Sequence, residues 1–229
     1  MPDPPNAELL RSLGRLVRGL SALFWGLPFA LLVCFYTART DDLRIFGITP
    51  AVISTGLLVF GVWHLGDFQK QERIWRAALD RTLVFGLMLF FLSPFPHWWY
   101  RFPSNTFFLV MVVILALAAL CFLGSLNVVL QRLGAMLPDE TLRLETKQFA
   151  GWNLNLLVAV SLLTIAHVVL SRVRDLPLWL AKLPLLSDSE GQGFQWLLIL
   201  LGLLPMAMTM ALLWKTKQVI LDSVFGAQR

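Results

Sequence analysis

Apolar residues in this chain gather into runs of about twenty, the length at which a helix rising 1.5 Å per residue crosses a hydrocarbon core about 30 Å thick. Six stretches meet that length: Leu20–Thr37, Ile45–Leu65, Thr82–Tyr100, Phe107–Leu130, Phe149–Leu170 and Phe194–Trp214. The pattern predicts an all-α, polytopic integral membrane helix bundle of about six transmembrane helices. The third stretch is the shortest in continuously apolar sequence, Leu83–Leu92, because Pro94 and Pro96 end or kink a helix there. If it does not cross, five spans remain and everything after it changes sides.

Between the runs the polar segments carry helical spacing. In Ala7–Leu20, Leu9, Leu10, Leu13, Leu16 and Val17 recur on one side while Arg11, Arg15 and Arg18 fall elsewhere. This predicts a basic amphipathic helix in the anionic inner interface leading into the first span; the plainer reading is a basic flank that sets topology. In Gly66–Arg81, Phe68, Trp75 and Leu79, with Ile74 and Ala78 beside them, form an apolar stripe against a charged face. That segment predicts a helix, which either extends the neighbouring spans or lies along the membrane. Asp139, in Leu137–Thr141, predicts a helix start with acidic residues at its positive end. The stretches Ser93–Pro103 and Arg172–Gly193 are too broken by proline to span and too apolar to leave the outer interface. With no internal repeat, low-complexity tract or dividing linker, residues 1–229 read as a single membrane domain. Residues 1–19 form its interfacial segment, 20–214 the bundle and 215–229 a cytoplasmic tail.

Composition agrees with the pattern. The chain has 229 residues, 57% hydrophobic and 14% charged, with a mean hydropathy of +0.70. A soluble domain carries about 25% charged residues, so this chain has too few to cover a water-facing surface, and its apolar excess excludes disorder. Cys34 and Cys121 both sit inside apolar runs, which excludes a disulfide-stapled fold. Lysine and arginine stay with cytoplasmic loops. In the six-span scheme thirteen of the nineteen lie on the side of the N-terminus and six on the other, placing both termini in the cytoplasm, in a membrane of the bacterial inner type. The net charge of +5 is absorbed by that topology and requires no nucleic acid. Tryptophan favours both membrane interfaces: Trp98, Trp99, Trp179 and Trp196 fall at the outer one and Trp63, Trp75, Trp152 and Trp214 at the inner one, while only Trp25 sits inside a span, toward its cytoplasmic end. Arg11, Arg15 and Arg18 before an apolar run resemble a signal peptide, but the run is too long and Cys34–Ala38 offers no small-x-small cleavage site.

Candidate chemistry is sparse. No Asp, Glu, Lys or Arg occupies the middle of a predicted span, which weighs against carriers that use a buried carboxylate. Asn127 and Gln131, near the inner end of the fourth span, and Asn153 and Asn155, near that of the fifth, form a candidate interhelical hydrogen-bond cluster, either packing glue or a polar substrate site. Phe68, Arg73, Trp75 and Arg76 are the candidate docking residues for a cytoplasmic partner. His97 and His167, toward the outer face, are the only residues suited to a haem or copper, and no carboxylate or cysteine accompanies them at ligand spacing; His64 lies at the inner end of the second span. Small residues on the fourth span (Ala118, Cys121, Ser125, with Gly124) and the sixth (Ala207, Ala211) nominate these two helices for the bundle's centre. Protease, hydrolase and phosphate-loop motifs are missing, so no catalytic residue, cofactor or metal ligand is predicted. The expectation is a non-enzymatic subunit or scaffold of a membrane complex, with lipid, protein partners or further copies of itself as neighbours. The alternatives are the permease subunit of a transporter energised by a separate ATPase, with Gly66–Arg81 or Gln131–Lys147 as coupling helices, and a histidine-ligated metal or haem enzyme.

Overall fold

The computed structural model describes residues 5–39, 46–68, 72–136, 140–170 and 191–225. Of these, 93% are helical, and no strand occurs among them. The helices are α1 (Pro5–Arg39), α2 (Thr49–Leu65), α3 (Arg73–Leu92), α4 (Phe95–Arg101), α5 (Thr106–Met136), α6 (Glu140–Leu170) and α7 (Gly191–Phe225). Four helical stretches are long and apolar enough to cross a membrane: Arg11–Ala38, Arg73–Arg101, Thr106–Met136 and Arg143–Ala166. Helix α2 is apolar but has 17 residues, about 25 Å at 1.5 Å per residue.

Several boundaries differ from those read in the apolar pattern. The second helix begins at Thr49 rather than near Ile45. Gly47 turns the chain at φ +57° just ahead of it, and Pro50, in the first turn, lacks an N–H at a position where no intrahelical bond is lost. The first helix has no break between its basic segment and the apolar run. It is continuous from Pro5 to Arg39 and passes through Pro28, and Leu16 and Leu20 are as fully buried as Leu23. One face of the basic segment is therefore built into the bundle. The charged segment before the third apolar run forms the first turns of α3, which extends that helix. The chain breaks at Ser93–Pro94 and resumes as α4. The helix start expected near Asp139 is the first turn of the 31-residue α6, with Glu140 in it; Asp139 itself and residues 171–190 lie outside the described residues.

Contacts run around a closed ring: α1 on α2, α2 on α3, α3 on α5, α5 on α6, α6 on α7, and α7 back on α1. At one end α4 bridges α1 and α5, and α5 also touches α7. On α1, Leu16, Leu20, Leu23, Leu27 and Ala30 alternate steps of four and three and are all buried, the spacing that lets helices pack side by side. They meet Leu58, Val62 and Leu65 of α2 within one core. The two backbones nearly touch, since a Cβ built on Gly19 would lie 2.8 Å from the Gly61 carbonyl oxygen. At the far end an aromatic cluster ties α4 to the start of α5: Phe95 stacks edge-on against Trp98 at 5.4 Å and Phe107 at 6.1 Å.

Candidate functional site

Most buried hydroxyls in the bundle serve their own helix. Thr55 donates to the Ala51 carbonyl at 2.7 Å, Thr82 to Ala78 at 2.9 Å and Ser125 to Phe122 at 2.9 Å. Such bonds remove a polar group from the apolar surroundings without joining helices. The cluster among α5, α6 and α7 is different. The Asn127 amide nitrogen donates to Thr209 Oγ1 at 3.0 Å and to the Leu123 carbonyl at 2.8 Å. The Asn153 amide nitrogen donates to the same Thr209 oxygen at 3.1 Å and to the Pro205 carbonyl at 3.2 Å. Thr209 in turn donates to Pro205 at 2.8 Å. One hydroxyl thus joins three helices, and all three side chains are buried.

The spacing of the seam places them there. On α6, Thr146, Ala150, Asn153, Leu157 and Val160 are buried in steps of four and three. On α7, Thr209, Leu213, Thr216 and Ile220 follow the same rule. Because successive helices run antiparallel, Asn127, Asn153 and Thr209 form one layer, and Gly134, Thr146 and Thr216 form another seven residues along each helix. In that second layer a Cβ on Gly134 would lie 2.9 Å from Thr146 Oγ1. Beyond it, Lys215 and Glu145 form an ion pair that closes the α6–α7 seam.

The amide orientations follow from the bonding. Each amide nitrogen faces a backbone carbonyl, so turning either amide over would set oxygen against oxygen. Asn127 Oδ1 and Asn153 Oδ1 are consequently buried without a hydrogen-bond partner. The layer holds no charge and no pairing of nucleophile with base. What it offers is two carbonyl acceptors, suited to an N–H or O–H donor, a water or a hard cation. Next to it lies an apolar cavity of about 330 Å³ whose walls include Leu27, Leu58, Leu89, Pro96, Leu115 and Met206, from six different helices. Its Thr55 hydroxyl is turned to its own backbone, so the walls carry little that is polar.

The remaining predicted site residues lie elsewhere. Gln131, one turn along α5, is half-buried, and Asn155 is exposed on the far side of α6 from Asn153; neither joins the cluster. Of the docking set, Trp75 is fully buried and donates from Nε1 to the Phe68 carbonyl at 3.0 Å, and Phe68 packs against the core. These two form a wedge beneath the α2–α3 turn, so Trp75 is no interface anchor. Arg73 and Arg76 are exposed. His64 lies on α2 with Nδ1 3.1 Å from the Phe60 carbonyl. His97 is half-buried on α4, and the His167 side chain lies outside the described residues. Among the described residues no three His, Cys, Asp or Glu side chains gather as a metal site. Of the small residues, Ala118 and Ser125 are buried on α5, but Cys121, Ala207 and Ala211 face outward. Helix α7 packs through Thr209, Leu213 and Thr216 instead. Nothing in the sequence separates Thr209, the hub of the cluster, from the other hydroxyls of the apolar helices.

Comparison of the chain with protein-family models, with curated proteins and with solved structures finds no match.

Proposed function

We propose that this chain is a six-span protein of a bacterial-type inner membrane, with both termini cytoplasmic, and that it acts as a non-enzymatic subunit or scaffold whose cytoplasmic face engages a protein partner. The count of six adds α2 and α7 to the four stretches already long and apolar enough to cross, with α3 and α4 together forming the third crossing. The orientation rests on the distribution of lysine and arginine. The basic first turns of α1 lie at the inner interface in this reading.

One observation carries the partner assignment. At the start of α3 the apolar stripe divides: Trp75 and Leu79 turn inward, while Ile74, 57% exposed, stands among the exposed Arg73, Arg76 and Ala77. A large apolar side chain flanked by two exposed arginines suits an acidic, partly apolar protein surface. Replacing Trp75 would unmake the core, so the surface arginines are the residues to change. Purification from native membranes in mild detergent is expected to bring a stoichiometric partner with the wild-type chain. The Arg73→Glu, Arg76→Glu double variant is expected to lose that partner while keeping its helical content. Retention of the partner by the variant, or isolation of the wild-type chain alone, overturns the assignment.

A further inference from the structure

Helix α6 carries two seams, and only one is used within the chain. The inward seam through Asn153 packs on α5 and α7. The outward seam follows the same four-three spacing through Leu144, Gln148, Gly151, Asn155, Val158 and Leu162, and every one of these residues is exposed. Leu144 is 69%, Val158 51% and Leu162 63% exposed. Asn155 lies within the apolar run that begins at Phe149, after the charged first turns of α6, about 9 Å along the helix from Phe149 at 1.5 Å per residue. Its carboxamide makes no hydrogen bond among the described residues. An amide at that depth faces hydrocarbon, where its two donors and its acceptor go unmet. Beside it, Gly151 opens a shallow groove lined by Leu144, Lys147, Gln148, Trp152 and Asn155, with Lys147 at its charged end. A Cβ on Gly151 would meet nothing within 4 Å.

We propose that this outward seam of α6 pairs two copies of the chain in the plane of the membrane, with the Asn155 amides of the two copies hydrogen-bonded to each other. The occupant follows from depth and symmetry. Copies inserted in the same orientation and related by a two-fold axis along the membrane normal bring identical residues together at equal depth. An amide is self-complementary, donating from nitrogen and accepting at oxygen, so Asn155 meets the partner it needs in its own copy; a different protein would have to carry a polar group at that depth by coincidence. Gly151, one turn away, lets the two backbones approach. The four-three spacing keeps the contact along the helix, and a single polar residue in such a seam fixes its register. The inference requires only that α6 lies in the membrane, and is independent of the cytoplasmic partner proposed above.

The test is oxidative cross-linking in native membranes of a chain carrying Cys34→Ser and Cys121→Ser, with one cysteine introduced either at Val158 on the seam or at Val84 on α3, which is exposed to a similar degree, 55%. The expected result is a product of twice the chain's mass for Val158→Cys and little for Val84→Cys. Adding Asn155→Leu is expected to lower the yield about fivefold, the scale of one interhelical amide bond, while Asn155→Gln preserves it. Equal yields at the two positions, a yield indifferent to Asn155→Leu, a cross-linked product of another mass or no product at all would each overturn the proposal. If Asn155→Leu fails to accumulate in the membrane, the contrast between Val158→Cys and Val84→Cys decides alone.

Discussion

Thr209 shows how little polarity is needed to organise an apolar bundle. Its oxygen accepts from two asparagines on two other helices while its proton goes to Pro205. Replacing it with valine keeps the shape and leaves each amide nitrogen with a single carbonyl partner. Interhelical hydrogen bonds in membranes are worth about 0.6–1.7 kcal/mol, so Thr209→Val should lower stability by about 1 kcal/mol in a mixed-micelle unfolding titration. Thr164 bonds only to its own helix, at Val160, and Thr164→Val should change stability by less than about 0.5 kcal/mol. Equal effects of the two substitutions would show that the hub is not energetically distinct. The amides of Asn127 and Asn153 were visible in the sequence because asparagine is conspicuous in an apolar run. Thr209 was not, because a hydroxyl that can satisfy itself on its own helix looks the same in sequence whether or not it also serves others.

At the scale of elements, the tightest junction is α1 with α2, where two glycines face each other. Without a hydrophobic drive between helices in lipid, close backbone approach and van der Waals contact hold them together. A methyl group at Gly19 would stand 2.6 Å from Leu65 Cδ1 and 2.8 Å from the Gly61 carbonyl oxygen, and backbone cannot move aside as a side chain can. Gly19→Ala should therefore cost about 1–3 kcal/mol, the usual penalty of overpacking. Gly14, five residues earlier on the same helix, has open space around it. Gly14→Ala should be neutral or stabilising by up to about 1 kcal/mol through helix propensity. The same titration distinguishes them, and a destabilised Gly14→Ala would contradict the account. Across the membrane edge, Arg15 and Asp67 pair at 2.8 Å, joining α1 to the turn after α2. Both groups are partly exposed, so this bond contributes under about 1 kcal/mol, and the leucine seam beneath it holds the helices together.

At the scale of the whole molecule, the ring order repeats the chain order. From α1 to α6 short connections and antiparallel neighbours account for this, with α4 the one element set across it. The proposed topology has a direct check. A membrane-impermeant maleimide should label Ser104→Cys, between α4 and α5, from outside intact cells, and Lys147→Cys and Asp222→Cys only after permeabilisation. The reverse pattern, with Lys147→Cys and Asp222→Cys labelled from outside and Ser104→Cys protected, would overturn this topology, through either an inverted bundle or an α3–α4 segment that does not cross.

The membrane class, the helical fold and the approximate position of every long helix follow from the sequence alone, because the length of an apolar run and the place of a proline or charge act locally. Pro94 ended a helix, and the charged turns of α3 were helical as their periodicity required. Tertiary structure decided which side of each helix faces inward. Asn153 and Asn155 are two residues apart and read alike, yet the first is enclosed at Thr209 while the second faces out. Trp75 and Ile74 are adjacent in one apolar stripe, yet only Trp75 is buried. Ala207 and Ala211 carry the small-residue signal, yet α7 turns Thr209 and Thr216 inward. A helix apolar on all sides has no preferred face of its own in lipid, so the choice passes to the neighbours it meets.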